Sequence, residues 1–207
     1  DCGELLPYAV QNWFKCVDRV IIIFSDRSNY GETLNNTEYL NGPEFKNCDI
    51  YRCEPISLAP LDNERRKRNF GLDKARELGI THFIMADADE FYEPVEFKTE
   101  LKRFDNSNLK GLICACQNYF ARPTLTIGID ENTRVTFIHR LLPGMRFTWN
   151  RAFPFAWEGT AIKIDPTRQL NINDGVEWSE IVMHHYSWVR KDIEQKIRNS
   201  TARPNIE

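Results

Sequence analysis

Apolar positions in the first part of the chain alternate between a helical and an extended period. Residues 4–16 place Leu5, Leu6, Val10, Trp13 and Phe14 close to one helical stripe, with Pro7 tolerable in the first turn, and so predict an amphipathic helix. Residues 17–24 (VDRVIIIF) are apolar and β-branched, the signature of a buried parallel strand, and the polar SDRSNYGET follows at its carboxyl end. A weaker strand is predicted at 49–53. Residues 62–78 (DNERRKRNFGLDKAREL) predict a helix with Asp62 or Asn63 as cap and Gly79 as stop. The apolar run at 82–86 predicts the next buried strand. Strand, helix and strand in alternation argue for α/β architecture, with a mostly parallel sheet and right-handed crossovers.

The second half has a different rhythm. Residues 94–104 predict a short helix and 109–120 a strand, with further strands at 134–142, 145–149 and 161–164. Turns at Pro143-Gly144 and Asp174-Gly175 separate them. After the apolar 181–183 come His184, His185, Tyr186 and Trp188, then a basic helix at 191–200. Phe137, Phe147, Trp149, Phe153, Phe155 and Trp157 crowd this half; most suit a core, and a sugar-binding site also needs such apolar faces beside polar groups.

The strand at 82–86 breaks abruptly into Asp87, Asp89 and Glu90, followed by Phe91 and Tyr92. In open α/β sheets, ligands bind in the crevice outside the carboxyl ends of the strands. Residues two apart in an extended segment point the same way, so Asp87 and Asp89 are expected to converge on one target. Converging carboxylates repel unless a cation lies between them, and an oxygen-rich set suits Mg²⁺ or Mn²⁺. An isolated Asp-x-Asp in a solvated loop is the plainer alternative. Asp26 and Ser28 belong to the same rim, and the basic run Arg65-Arg66-Lys67-Arg68 lies on the helix leading into the acidic strand, within reach of a phosphate near it.

Composition narrows the classes. The chain has 207 residues, enough for one well-cored domain. Lys plus Arg is 27 against 30 for Asp plus Glu, a balance that argues against a nucleic-acid or membrane-surface binder. No apolar run approaches the roughly 20 residues of a membrane span, and the start lacks signal-peptide character, so a soluble, cytoplasmic protein is expected. The six cysteines form no Cys-x-x-Cys pair and read as reduced core thiols. Asn35 and Asn199 open Asn-x-Thr sequons, which matter only in a secretory compartment.

Taken together, the chain resembles the GT-A nucleotide-sugar glycosyltransferases, most closely the family-2-like members. ELLPYAVQNWFKCVDRVIIIFSDRSNYGETL resembles that family's opening helix, second strand and acidic loop, and RRKRNFGLDKARELGITHFIMADADEFYEP its Arg-Asn helix and Asp-x-Asp strand. HRLLPGMRFTWNRAFPFAWEG looks like the acceptor region, with Trp157-Glu158 where many relatives carry His-Glu. HHYSWVRKDIEQK is similar to the C-terminal His-Tyr-x-Trp-Val-Arg segment. The resemblance implies a Rossmann-like, mostly parallel central sheet flanked by helices, with a smaller mixed-strand acceptor-side region. Residues 1–93 would form the nucleotide-sugar half and 94–207 the acceptor half. The family's first strand has no counterpart here, and the tail stops just after Pro204, so a piece of a longer polypeptide is expected.

The resemblance also implies residue roles. Asp26 would contact the nucleoside, Arg68 and Asn69 would be the helix pair, and Asp87 would face the ribose or the metal. Asp89 would ligate Mn²⁺ or Mg²⁺, joined by His184 or His185, and Arg65, Arg190 and Lys191 are candidate diphosphate contacts. Loss of a diphosphate leaving group builds negative charge that a divalent ion and fixed cations neutralise. In an inverting reaction a carboxylate takes the acceptor proton. Glu158, between Trp157 and Gly159, is the expected base, with Asp165 or Asp174 in reserve. The expected reaction moves sugar from a nucleotide-diphosphate sugar, a UDP-sugar first, to a hydroxyl of a carbohydrate or glycoconjugate acceptor. A nucleotidyltransferase or phosphohydrolase with the same acidic rim, or a non-catalytic sugar-binding module, are the rivals.

Overall fold

The computed structural model of the chain describes residues 3–57, 59–148, 168–172 and 174–199. Helix α1 (Leu6–Trp13) has Pro7 in its first turn and buries Ala9, Val10 and Trp13. That face packs with Val20, Ile22 and Phe45 on strand β1 (Ile21–Phe24) and its surroundings. β1 pairs in parallel with β2 (Asp49–Arg52). A short helix, α2 (Asn36–Tyr39), and a 3-10 turn at Pro43–Phe45 lie between them.

Helix α3 (Pro60–Glu77) starts two residues earlier than its polar pattern suggested, with Pro60 in the first turn after Ala59. Asn63 is buried for another reason. Its Oδ1 accepts from the Ile56 and Ser57 amides at 3.0 and 2.9 Å, and its Nδ2 donates to Ser57 and Asn29 carbonyls at 2.7 and 3.0 Å. The loop after β1 is thereby tied to the start of α3. Gly79, at φ +70°, ends the helix as expected.

Strand β3 (His82–Ile84) leads through the acidic segment to the two-residue strand β4 (Glu90–Phe91), and then to α4 (Pro94–Asp105). Three longer strands follow, β5 (Gly111–Phe120), β6 (Thr126–Arg140) and β7 (Val176–Trp188), before α5 (Ile193–Asn199). These five strands form a sheet in the order β3-β6-β5-β7-β4. Phe97 and Phe104 of α4 join Leu112, Cys114, Phe137 and Met183 in its main core. Leu72 of α3 packs with Ile113, Met145, Phe147 and Leu170 in a second.

The architecture is mixed α/β, and the described strands do not form the mostly parallel sheet that alternation predicted. β5 and β7 run parallel, whereas β6 is antiparallel to β3 and β5, and β4 is antiparallel to β7. Residues 121–125 join β5 to β6 through a short turn, which can link only antiparallel neighbours; parallel pairing needs a long crossover. The polar residues at the start of β6 hide half of that hairpin from a hydrophobicity reading. Of the other predicted strands, 145–149 is described as far as residue 148 and contributes there only an isolated bridge from Phe147 to Leu170, and 161–164 lies outside the described residues.

β1 has one edge paired with β2, and β3 has one edge paired with β6. No described strand pairs with their other edges. Both strands line one cleft of about 1460 Å³, whose apolar part is bounded by Ile21, Ile23, Gly71 and Phe83. Its polar part includes Ser25, Ser28, Lys67, Asp87, Asp89 and His185. This volume exceeds the roughly 300–1,000 Å³ of an ordinary ligand pocket.

Gly111 stands opposite His139 in the β5–β6 register, and a Cβ added there would overlap the imidazole at Cδ2 and Nε2. His139 is fully buried, so its ring has little room to retreat. Gly111→Ala is expected to cost about 1–3 kcal/mol of stability. The readout is the urea midpoint at constant m-value, and an unchanged midpoint would rule out this close approach.

Candidate functional site

The acidic segment is a turn, not an extension of β3. The Glu90 amide donates to the Asp87 carbonyl at 3.0 Å, and the Asp87 amide donates back to Glu90 Oε2 at 2.9 Å. The two-residue alternation that should have aimed Asp87 and Asp89 together therefore does not apply. Instead, Asp87 and Glu90 share Arg168, while Asp89 meets a different set of cations. Asp87 receives Arg168 Nη2 at 2.7 Å and Arg68 at 3.4 Å. Asp89 is paired with Arg190, with Lys196 Nζ 3.6 Å away, and Glu90 with Arg168.

Neighbouring elements fix the turn by its backbone. Trp13 Nε1 donates to the Glu90 carbonyl at 3.0 Å, and the Asn12 amide group exchanges two hydrogen bonds with the Tyr92 backbone at 2.9 and 3.0 Å. From the other side, the Tyr186 amide donates to the Asp89 carbonyl at 2.8 Å. α1 and β7 thus grip the segment at both ends.

Burial and charge compete at each acid. Burial opposes ionisation of Asp87, but Arg68 and Arg168 outweigh it and hold the carboxyl well below its ordinary range. Asp89 is likewise held low against burial by Lys196, His185 and Arg190. At Glu90 burial wins: Arg168 offsets it only in part, Asp87 adds repulsion, and the carboxyl is pushed up to about 7.

Alternation along β7 separates the two histidines. His185 lines the cleft, its Nδ1 2.9 Å from Asn118 Oδ1 on β5 and its Nε2 3.7 Å from Asp89 Oδ1. Burial holds its pKa below the ordinary value despite the pull of Asp89. His184 points to the opposite face, where its Nδ1 lies 2.8 Å from the Tyr119 hydroxyl. His184 is therefore removed from the proposed ligand set.

Other expected contacts are engaged elsewhere. Asp26 accepts from the Thr37 amide at 2.8 Å and from its hydroxyl at 2.5 Å, with Arg52 at 3.3 Å, while its neighbours Ser25 and Ser28 line the cleft. Asn69 exchanges two hydrogen bonds with the Phe147 backbone, at 3.1 and 2.9 Å, and so clamps α3 to the chain after β6. Arg65 pairs with Asp62 at 2.9 Å. Lys191 is exposed, with its amide directed at Glu4. Asp174 is an exposed turn residue paired with Lys110, apart from the acidic turn, and no longer serves as a reserve base. Glu158 and Asp165 lie outside the described residues.

Arg68, Asp87, Asp89, His185 and Arg190 do come together. Arg168, Lys196 and Asn118 were missed. A lone arginine following Pro166-Thr167 has no periodic signal, and Lys196 reads as one more charge on a basic helix. Asn118 alone was traceable, because it shares a strand face with Cys116.

Among the described residues, no three His, Cys, Asp or Glu side chains form a ready metal cage. Asp89 Oδ1 and His185 Nε2, 3.7 Å apart, are the two described groups there that would ligate a divalent ion. The Asn118 contact orients the imidazole with Nε2 facing the carboxylate, and Mg²⁺-type sites take their remaining ligands from water and phosphate.

No model of a known protein family matches the chain, and no curated protein matches it.

Because the Glu90 carboxyl is raised in the folded protein, its contribution to stability is complete below the ordinary glutamate range and is lost as pH rises through about 7. Asp87 acts in the opposite sense, and only in acid. Between about pH 5 and about pH 8, the stability difference between Glu90→Gln and the wild type is expected to move in the variant's favour. Chemical denaturation at a series of pH values measures it, and parallel pH profiles for the two proteins would contradict it.

Proposed function

We propose that this chain is a nucleotide-sugar glycosyltransferase domain of GT-A, inverting family-2 type. The observation that carries this reading is the buried acidic turn after β3, facing a large cleft and ringed by arginine and lysine from α3, from the segments just before and just after β7, and from α5. The four-segment resemblance in the sequence supports it independently. For the finer architecture, the facing unpaired edges of β1 and β3 suit an additional strand across the apolar part of the cleft, which would join the two sheets into one. Polar groups beyond that strand would remain free for the donor.

In the proposed reaction the acceptor oxygen bonds to the anomeric carbon as the bond from that carbon to the diphosphate oxygen breaks. The bonding electrons leave with the diphosphate. Arg68 and Arg168 on the Asp87 side, and Arg190 and Lys196 on the Asp89 side, supply preorganised positive charge for that group. Cations held by fixed carboxylates need little rearrangement as the charge develops. Mn²⁺ or Mg²⁺ is proposed at Asp89 and His185, where it would add Lewis-acid neutralisation of the phosphates. The acceptor proton passes to a carboxylate base, for which Glu158 is proposed from its place in the sequence. A UDP-sugar is the proposed donor, and a carbohydrate or glycoconjugate hydroxyl the acceptor. Among the described residues no helix is long and apolar enough to cross a membrane.

Isothermal titration with a panel of nucleotide-diphosphate sugars tests the donor site. The wild type is expected to bind one donor class more tightly with Mn²⁺ than with EDTA, and Asp89→Ala to weaken it at least about tenfold. Absence of any donor binding in both conditions would overturn the reading. Glu158→Gln should keep donor binding and lose transfer by about two orders of magnitude or more. Full transfer in that variant would dismiss Glu158 as the base.

A further inference from the structure

A half-buried cation in the cleft has no side-chain partner among the described residues. Lys67 extends from α3 beside Arg68, lines the cleft with Glu64 and Asp87, and is half-buried. Among the described residues it makes no hydrogen bond and no ion pair, and the carboxylates beside it are taken. Glu64 pairs with Arg68 at 2.5 Å, and Asp87 with Arg68 and Arg168. The neighbouring α3 cations behave differently: Arg65 pairs with Asp62, and Arg66 donates to the Glu54 carbonyl. Burial lowers the pKa of Lys67, because a shielded ammonium without a counter-ion loses hydration and gains nothing in return. Such an arrangement is explained if the counter-charge arrives with a ligand.

We propose that Lys67 is the anchor for a phosphoryl group of the ligand, making this part of the cleft a binding site for a diphosphate-bearing molecule. The charge count around the acidic turn favours a polyanion. Lys67, Arg68, Arg168, Arg190 and Lys196 stand against Glu64, Asp87, Asp89 and Glu90, five basic groups to four carboxyls. Lysine suits this task because its compact ammonium acts as a point charge with three rotatable donors, whereas the arginines are already fixed by bridging carboxylates. The inference rests on reading the cleft as a diphosphate site, but not on sugar transfer.

Inorganic pyrophosphate is the probe, titrated calorimetrically into the wild-type chain, Lys67→Met, Lys67→Arg and the exposed control Lys102→Met. Pyrophosphate should bind the wild type and the control alike, bind Lys67→Met at least about tenfold more weakly, and bind Lys67→Arg within about threefold of the wild type. Thermal unfolding distinguishes lost binding from lost folding, because removing a shielded, unpaired cation is expected to leave Lys67→Met at least as stable as the wild type. Wild-type affinity in Lys67→Met, or no pyrophosphate binding by the wild type, would overturn the assignment. Lys67-dependent pyrophosphate binding without sugar transfer would uphold it and sink only the transferase reading.

Discussion

Two carboxyl groups of the acidic turn are sealed under the protein surface, and the rest of the site follows from the need to compensate them. Asp89 and Glu90 are each 2% exposed or less. A buried charge is tolerated only when paired and hydrogen-bonded, and removing one partner typically costs about 3–5 kcal/mol. The partners come from far along the chain: Arg168 precedes β7, Arg190 follows it, and Lys196 belongs to α5. The charges of the turn are compensated only once the C-terminal third lies over it. Electrostatics joins the two halves at this point beside apolar contacts such as Phe91 on Tyr186.

Packing then decides which side chains take part. β4 lies beside β7 with Glu90 opposite His185 and Phe91 opposite His184, so the pleat sends one histidine toward the acids and the other toward Tyr119. On the far side, Trp13 and Asn12 of α1 hold the backbone on either side of Phe91. Apolar burial of α1 therefore has a second effect: it sets the position of a polar turn.

Much of the local structure was legible in the sequence because it depends on nearest neighbours. The stripe Leu6, Val10, Trp13 identified α1, the β-branched run at 21–23 identified β1, and Gly79 marked the end of α3. Strand direction was not legible, since an apolar run is the same whichever way its partner points; only the short turn at 121–125 decides it. The acidic cluster was visible, but its geometry was not. Asp26 and Asn69 carried the right chemistry for binding and were instead used by Thr37 and Phe147, because a polar side chain near backbone amides satisfies them first. Arg168 could not be found at all, since its role depends on contacts with residues about eighty positions away.

The parallel pairing of β5 with β7 brings Asn118 beside His185 across 67 residues of chain. Such a contact cannot begin locally: the chain must close a long loop before any of its bonds form, and non-local strand pairing is slow for that reason. α1, α3 and the β5–β6 hairpin can each nucleate from nearby residues, whereas the acidic turn must wait for β7 and its flanking cations. The cleft's chemistry therefore depends on contacts between residues far apart in the chain. Until those contacts form, Asp87, Asp89 and Glu90 are ordinary solvated carboxylates on an unfinished chain.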